Sequence, residues 1–378
     1  MTKLIHSIEY NSDGSIQSLK KSVDDVIARG AKSIMLFLAE SSLSDPSSLN
    51  EYLQTITTPV IGGVFPQIIH GHKHYECGVL VCGITVELDV KLIPALSEGA
   101  EQCQATLIEL RDWFDTYQGF LIFVDGLSAN VDPFVDILYD QLGPGKSVAG
   151  GGAGSLTLEQ KPCVLSNQGL LMDTAQIVGL ANKFSIGVRH GWQKVAGPFL
   201  VTSTDGNTIN TLDYRPAFEL YKETIEALSD SRFDQEDFFS IAKTFPFGME
   251  KLDQEILIRD PISVLENGLV CVGQVPENTL VYIMQGKPEA LIDSSGQAAS
   301  IVNIGQKDAP GIDALLFDCV SRVLFLEDRF EEELESILNN LAEETDLVGA
   351  LTLGEITSSS WGPLQFLNKT TVVCGIGE

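Results

Sequence analysis

Positive charge is scarce in this sequence. Over 378 residues it has 24 Lys and Arg against 52 Asp and Glu, with 5 His, for a formal net charge of −28. That balance argues against nucleic acid, whose phosphates need cations to neutralise them, and against an anionic membrane surface. It fits a soluble protein, or one with a basic protein partner. Long apolar runs are missing as well. Nothing approaches the roughly 18 apolar residues of a membrane span, and the opening MTKLIHSIEY has no stretch resembling a signal peptide. The 7 cysteines form no C-x-x-C pair and are odd in number. Reduced thiols in a cytoplasmic protein are therefore expected, with Cys82 and Cys374 in the core.

What is present is a repeat. Three times a helix, a buried strand, a second helix and a strand ending in small residues are followed by a hairpin and a closing strand. The strand pairs are SIMLFLAE and TPVIGG, FLIFVDG and KSVAGGGAG, and ALLFDCVS and DLVGALTLGE; the closing strands are VLVCGIT, AQIVGLA and TVVCGIG. A period of roughly 80–90 residues is too long for a solenoid. The reading is an α/β (α+β) fold: repeated α-β-α-β-β-β modules form mixed sheets covered by helices, in two closely packed domains, 1–183 and 184–378. The sequence leaves open whether the first two modules share one sheet or stack.

Local patterns place the elements. Ile16, Leu19, Val23, Val26 and Ile27 mark one helix face ending at Gly30. Leu96, Ala100, Cys103, Leu107, Leu110 and Phe114 predict one helix, and Val131 to Leu142 another. From about 182 the texture becomes strand-rich, with a turn at Asp205-Gly206-Asn207 and helices after Pro216 and Asp234. In the acidic stretch 327–346, Phe330, Leu334, Ile337, Leu338 and Leu341 form a stripe, which predicts a helix with a solvated acidic back.

Motif tests are mostly negative. Gly143-Pro144-Gly145-Lys146-Ser147 ends like a P-loop, but Asp140 stands where a glycine is needed and the segment follows a helix, so a helix-to-strand turn is expected. Gly150 to Gly154 follow a strand, yet no helical stripe comes next to hold a pyrophosphate. They read as close strand packing or a pocket wall, together with Gly62 and Gly63. His70, His72 and His74 alternate, a spacing a metal site can use on one strand, but a hairpin tip is expected there. Cys271 and Cys319 lie in apolar strands and read as inert core thiols. His190 and Glu355 are the candidate acid/base groups.

With the segments laid out, the chain resembles the FIST family (F-box and intracellular signal transduction proteins) over nearly its whole length. The residues that carry the resemblance are VIGG at 60–63, SVAGGGAG at 147–154, VRHGWQKVAGPFLVTSTDGNTINTLDYRPAFELY at 188–221, LIRDPI at 257–262, GALTLGEI at 349–356 and FLNKTTVVCGI at 366–376. The resemblance implies an N-terminal FIST domain over roughly 30–185, a C-terminal one over roughly 215–360, and a sensory module that binds small ligands such as amino acids. No methyl-acceptor, kinase, cyclase or F-box segment accompanies them, so any output is expected in a partner protein.

For an amino-acid-like ligand, Arg189, Arg215 and Arg259 are the candidates for a carboxylate, and Glu355 or Asp213 for an ammonium. Asn207 and Asn368 offer neutral bonds. His190 adds a polar group, Trp192 or Tyr221 an apolar wall, and Gly62, Gly63, Gly151 and Gly152 close backbone. No cofactor or metal is called for. An enzyme using Glu355 or His190 as acid/base, and an acidic scaffold, are the alternative readings.

Overall fold

The computed structural model describes residues 3–250, 256–305, 313–358 and 362–377. The first module runs β1 (Ile5–Asn11), α1 (Ile16–Ala28), β2 (Ser33–Ala39), α2 (Pro46–Thr55), β3 (Val60–Phe65), β4 (Gln67–His70), β5 (Lys73–Tyr75) and β6 (Val79–Ile84). Helix α1 forms where the apolar spacing asks for it. The Ser15 side chain accepts the Ser18 N–H at its start, Leu19, Val23 and Val26 are buried, and Gly30 follows its end at φ +103°. Asp45 caps α2 in the same way, with Pro46 in its first turn.

The second module continues with β7 (Asp89–Pro94), α3 (Ala100–Glu109), α4 (Arg111–Asp115), β8 (Gly119–Asp125), α5 (Val131–Leu142), β9 (Ser147–Ala153), β10 (Val164–Ser166), β11 (Gly169–Leu171) and β12 (Thr174–Leu180). The single helix expected over 96–114 is in fact broken. A short 3₁₀ turn precedes Gly99 at φ +124°, and Leu110 leaves helical geometry between α3 and α4.

The strand-rich region follows: β13 (Ser185–Arg189), β14 (Gln193–Asp205), β15 (Thr208–Leu212), β16 (Arg215–Pro216), α6 (Ala217–Leu228), α7 (Phe238–Ala242), β17 (Phe247–Met249), β18 (Leu257–Leu265), β19 (Gly268–Val272) and β20 (Leu280–Gln285). Asp237, not Asp234, caps α7. Antiparallel pairings run β14-β20-β17-β18-β19-β15 and return from β15 to β14, closing a barrel that leaves none of these strands with a free edge. The third module has α8 (Pro288–Gly305), β21 (Asp313–Cys319), α9 (Val320–Leu326), α10 (Phe330–Asn339), β22 (Asp346–Thr352), β23 (Glu355–Ser358), β24 (Leu364–Leu367) and β25 (Thr371–Ile376).

Each module builds its own six-stranded sheet around the same core: a parallel pair (β2-β3, β8-β9, β21-β22) with an antiparallel closing strand (β6, β12, β25) beside the first member. This is the mixed α+β architecture with helical cover read from the sequence. The hairpins differ from expectation, because none closes on its own module. Hairpin β4-β5 extends the third sheet beside β22, β10-β11 extends the first beside β3, and β23-β24 extends the second beside β9. The exchange is cyclic and ties the three sheets together through main-chain hydrogen bonds.

The glycine-ended strands make this possible. Gly62 lies opposite Leu36, Gly150 opposite Ile122 and Gly349 opposite Leu316, and a Cβ on any of the three would overlap that partner's carbonyl oxygen. One position further along, Phe37, Phe123 and Phe317 occupy equivalent places; Phe123 stands 6.2 Å from Phe37 and 6.0 Å from Phe317, ring to ring. Buried Gln176 stitches two sheets, accepting the Gly62 N–H at 3.0 Å and donating to the Leu165 carbonyl at 2.9 Å. Among the described residues, no helix is long and apolar enough to cross a membrane.

Gly150→Ala should therefore cost about 3 kcal/mol, the upper range for an overpacked core. Gly71→Ala meets open space at φ +60° and should cost only about 1 kcal/mol of backbone strain. Urea unfolding of the two variants checks this, and equal losses would mean that the glycine is not needed for close packing.

Candidate functional site

The polar groups of the third module are buried where the other two modules are apolar. Leu38 and Val124 give way to Asp318 at the same strand position, and Phe65 and Ala153 give way to Thr352. Asp318, Arg322, Glu333, Thr352, Glu355, Lys369 and Thr371 are all fully enclosed. Charges in such a place require partners.

Arg322 supplies them. Its Nε donates to Glu333 Oε1 at 2.8 Å, and one Nη donates to Glu333 Oε2 at 2.9 Å and the Leu291 carbonyl at 3.1 Å. The other Nη donates to the His190 and Lys369 carbonyls at 2.7 and 3.2 Å. These contacts join α9, α10, α8, the end of β13 and the turn between β24 and β25. Asp318 Oδ1 lies 3.3 Å from Arg322 Nε and accepts the Thr371 hydroxyl at 3.0 Å. Burial, then the neighbouring Glu333 charge, raises the Asp318 carboxyl well above the ordinary carboxylate range. The acidic helix α10 is thus not solvated all along its back: Glu333 turns inward.

The turn Asn368-Lys369-Thr370, with Lys369 at φ +53°, is the second hub. Lys369 Nζ pairs with Asp260 at 3.0 Å, donates to the Lys243 carbonyl at 3.0 Å and sits 4.8 Å over the Trp192 ring. Trp192 Nε1 donates to the Lys369 carbonyl at 3.0 Å. Glu355 accepts the Thr352 hydroxyl at 2.7 Å and the Thr370 N–H at 3.3 Å, and is held opposite Gly151 by the β23-β9 pairing. Burial pushes its carboxyl up to about 8. His190 is buried and accepts the Trp192 N–H on Nδ1 at 2.9 Å. Burial, then the Arg322 and Arg189 charges, lowers its imidazole to about 3. Both side chains are buried.

Beside Lys369 and Asp260 lie Asn368 and Arg259, the outward half of the same junction. Arg259 is 3% exposed, and its Nη2 pairs with Asp132 of α5 at 2.9 Å. Its remaining groups donate to the Gln274 and Phe366 carbonyls at 2.9 Å each and to Asn368 Oδ1 at 3.4 Å. One ion pair therefore fastens the second module to the barrel and to β24. It borders a cleft of about 290 Å³ with Met249, Leu257, Leu364 and Phe366 as apolar floor and Asp132, Asp136 and Glu250 as acidic rim.

The remaining sequence candidates lie elsewhere in the contacts. Arg189 donates to the Val188 carbonyl at 2.7 Å, and its charge reaches His190. Arg215 is exposed and pairs with Glu223 at 2.8 Å. Asn207 donates to the Cys271 carbonyl in the barrel, where Asp213 accepts the Leu200 N–H and Tyr221 is a core residue bonded to the Phe245 carbonyl. Gly62, Gly63, Gly151 and Gly152 press on neighbouring main chain and side chains: Gly63 faces Ala153, Gly151 faces Thr352 and Gly152 faces the Leu353 carbonyl. His70, His72 and His74 flank a hairpin tip rather than share one strand face; His74 is bonded to Gln67. Lys146 of the P-loop-like segment donates to the Phe114 and Tyr117 carbonyls between α5 and β9. Sequence reasoning missed Asp318, Arg322, Glu333 and Asp260.

Replacing Arg322 by Leu strands the Glu333 carboxylate and should cost about 3–5 kcal/mol, read as a fall in the urea midpoint. The raised Glu355 carboxyl gives a second expectation. Between its ordinary value of 4.5 and about 8, the folded chain holds a proton that the unfolded chain releases, so stability falls as pH rises through that window. His190 works in the opposite sense below about 6.5, so pH 6.5 to 8 avoids it, and comparison with Glu355→Gln separates Glu355 from the likewise raised Asp318. Over that range Glu355→Gln should lose less stability than the parent chain. Equal slopes would show that Glu355 is ionised in the fold.

No curated protein matches the chain in sequence. The family model of the FIST N domain matches residues 33–215, and that of the FIST C domain matches residues 217–358. FIST domains are associated with sensory roles in signal transduction. The Asp132–Arg259 pair thus joins the two matched regions, and the buried hub grows from the second. The chain belongs to the FIST family.

Proposed function

We propose that this chain is a cytoplasmic sensory protein that binds a small amino-acid-like ligand in the cleft between its FIST N and FIST C regions and signals through a separate partner protein. The observation that carries the reading is Arg259: a nearly enclosed cation on the wall of a ligand-sized cleft, whose bonds reach both regions and the buried hub. A zwitterion suits this wall. Arg259 and Gln274 face a carboxylate, Asp136 and Glu250 an ammonium, and Met249, Leu257 and Phe366 an apolar side chain. A ligand carboxylate competing with Asp132 for the guanidinium would loosen the one ion pair that binds α5 to β18. That gives the site a differential interaction with two arrangements of the chain, which a sensor requires. The enclosure of His190 and Glu355 speaks against acid/base work on a diffusible substrate.

Calorimetry against the amino acids tests the reading. Binding should favour apolar side chains, require both the α-ammonium and the α-carboxylate, and weaken about tenfold or more in Asp136→Asn, an exposed position. Arg259→Ala should abolish it. Equal affinity of parent and Asp136→Asn for a confirmed ligand would place the ligand elsewhere.

A further inference from the structure

A second cavity of about 540 Å³ adjoins this cleft. Leu364, the first residue of β24, lines both spaces. The two differ in charge. The cleft has three carboxylates and one arginine, whereas the larger cavity has Lys146 and Lys183 and, among the described residues that line it, no Asp or Glu. In a chain with 52 acidic residues against 24 Lys and Arg, that is a pronounced local reversal.

The geometry points to a second, separate binding site here, for a small organic anion with an apolar body. Lys146 is already fixed. Two of its three N–H donors go to the Phe114 and Tyr117 carbonyls at the end of α4, which leaves one donor and the whole charge for a ligand. Little side-chain freedom remains to be lost when an anion binds. Lys183 Nζ lies over Gly145 on the same rim. Buried Leu142, Phe184 and Leu364 offer an apolar floor for the body of such a molecule. The segment 143–147, which fails as a phosphate loop, thus lines the cavity and brings Lys146 to it. A carboxylate between two lysines and an apolar floor is held by charge and burial together, and its affinity must fall with salt.

The full chain is titrated calorimetrically with phenylacetate, with phenethylamine as the matched cation and phenylacetamide as the neutral control. Phenylacetate should bind one to one, at least tenfold tighter than either control, and more weakly at 500 mM than at 50 mM salt. Lys183→Glu, at an exposed position, should weaken it tenfold or more with an unchanged melting temperature. Lys146→Met should weaken it too, and Asp136→Asn in the acidic cleft should leave it unchanged. No carboxylate binding at millimolar concentration, equal binding of the amine, or an affinity indifferent to Lys183→Glu would overturn the proposal. Loss in Asp136→Asn with retention in Lys183→Glu would also overturn it, by moving the anion to the cleft. Because the cleft reading is tested with zwitterions and Asp136, either reading can fail without the other.

Discussion

The third sheet depends on one guanidinium. Arg322 is wholly enclosed, and its donors are shared among one carboxylate and three main-chain carbonyls from separate segments. An ion this deep costs several kcal/mol to desolvate, and only a full set of partners offsets that cost. The fold must therefore bring α8, α10, the segment after β13 and the β24-β25 turn to one point at fixed distances. Apolar packing alone does not impose such geometry. The assembly of the third module around Arg322 is specified by hydrogen-bond direction as well as by volume.

Much of the frame was legible in the sequence. Strands β2 and β8 appear as apolar runs of strand length beside helical stripes, and both have the bounds that the pattern gives. Cys82 and Cys374 sit in buried, equivalent registers, opposite Met35 and Leu315. The destination of the hairpins was not legible. A hairpin's own sequence fixes its turn and alternation, but the sheet that accepts its edge is decided by long-range contacts between modules.

The site was legible in part, for a related reason. Arg259, Glu355, Asn368, His190 and Trp192 were found through motifs, and all lie in or beside the buried junction. Arg322 was hidden inside the apolar run DCVSRVLFL, where composition reads as core. Glu333 was hidden in an acidic run, although a signal was there: it lies three residues after Phe330 and four before Ile337, on the buried stripe of α10. A charge on an apolar stripe announces a buried partner, and that partner is the buried Arg322.

The three modules share one frame, and polarity enters where the third departs from it. Asp318 and Thr352 replace apolar or small residues at matched positions, and Glu355 opens the hairpin that the third module lends to the second sheet. The hairpin's other strand, β24, begins at Leu364, which lines both the acidic cleft and the basic cavity, and runs directly into the Asn368-Lys369-Thr370 turn. β24 and this turn are bonded to Arg259 through the Phe366 carbonyl, and to Arg322 and Trp192 through the Lys369 carbonyl. Breaking those bonds without replacement would leave buried polar groups unpaired at their full desolvation cost.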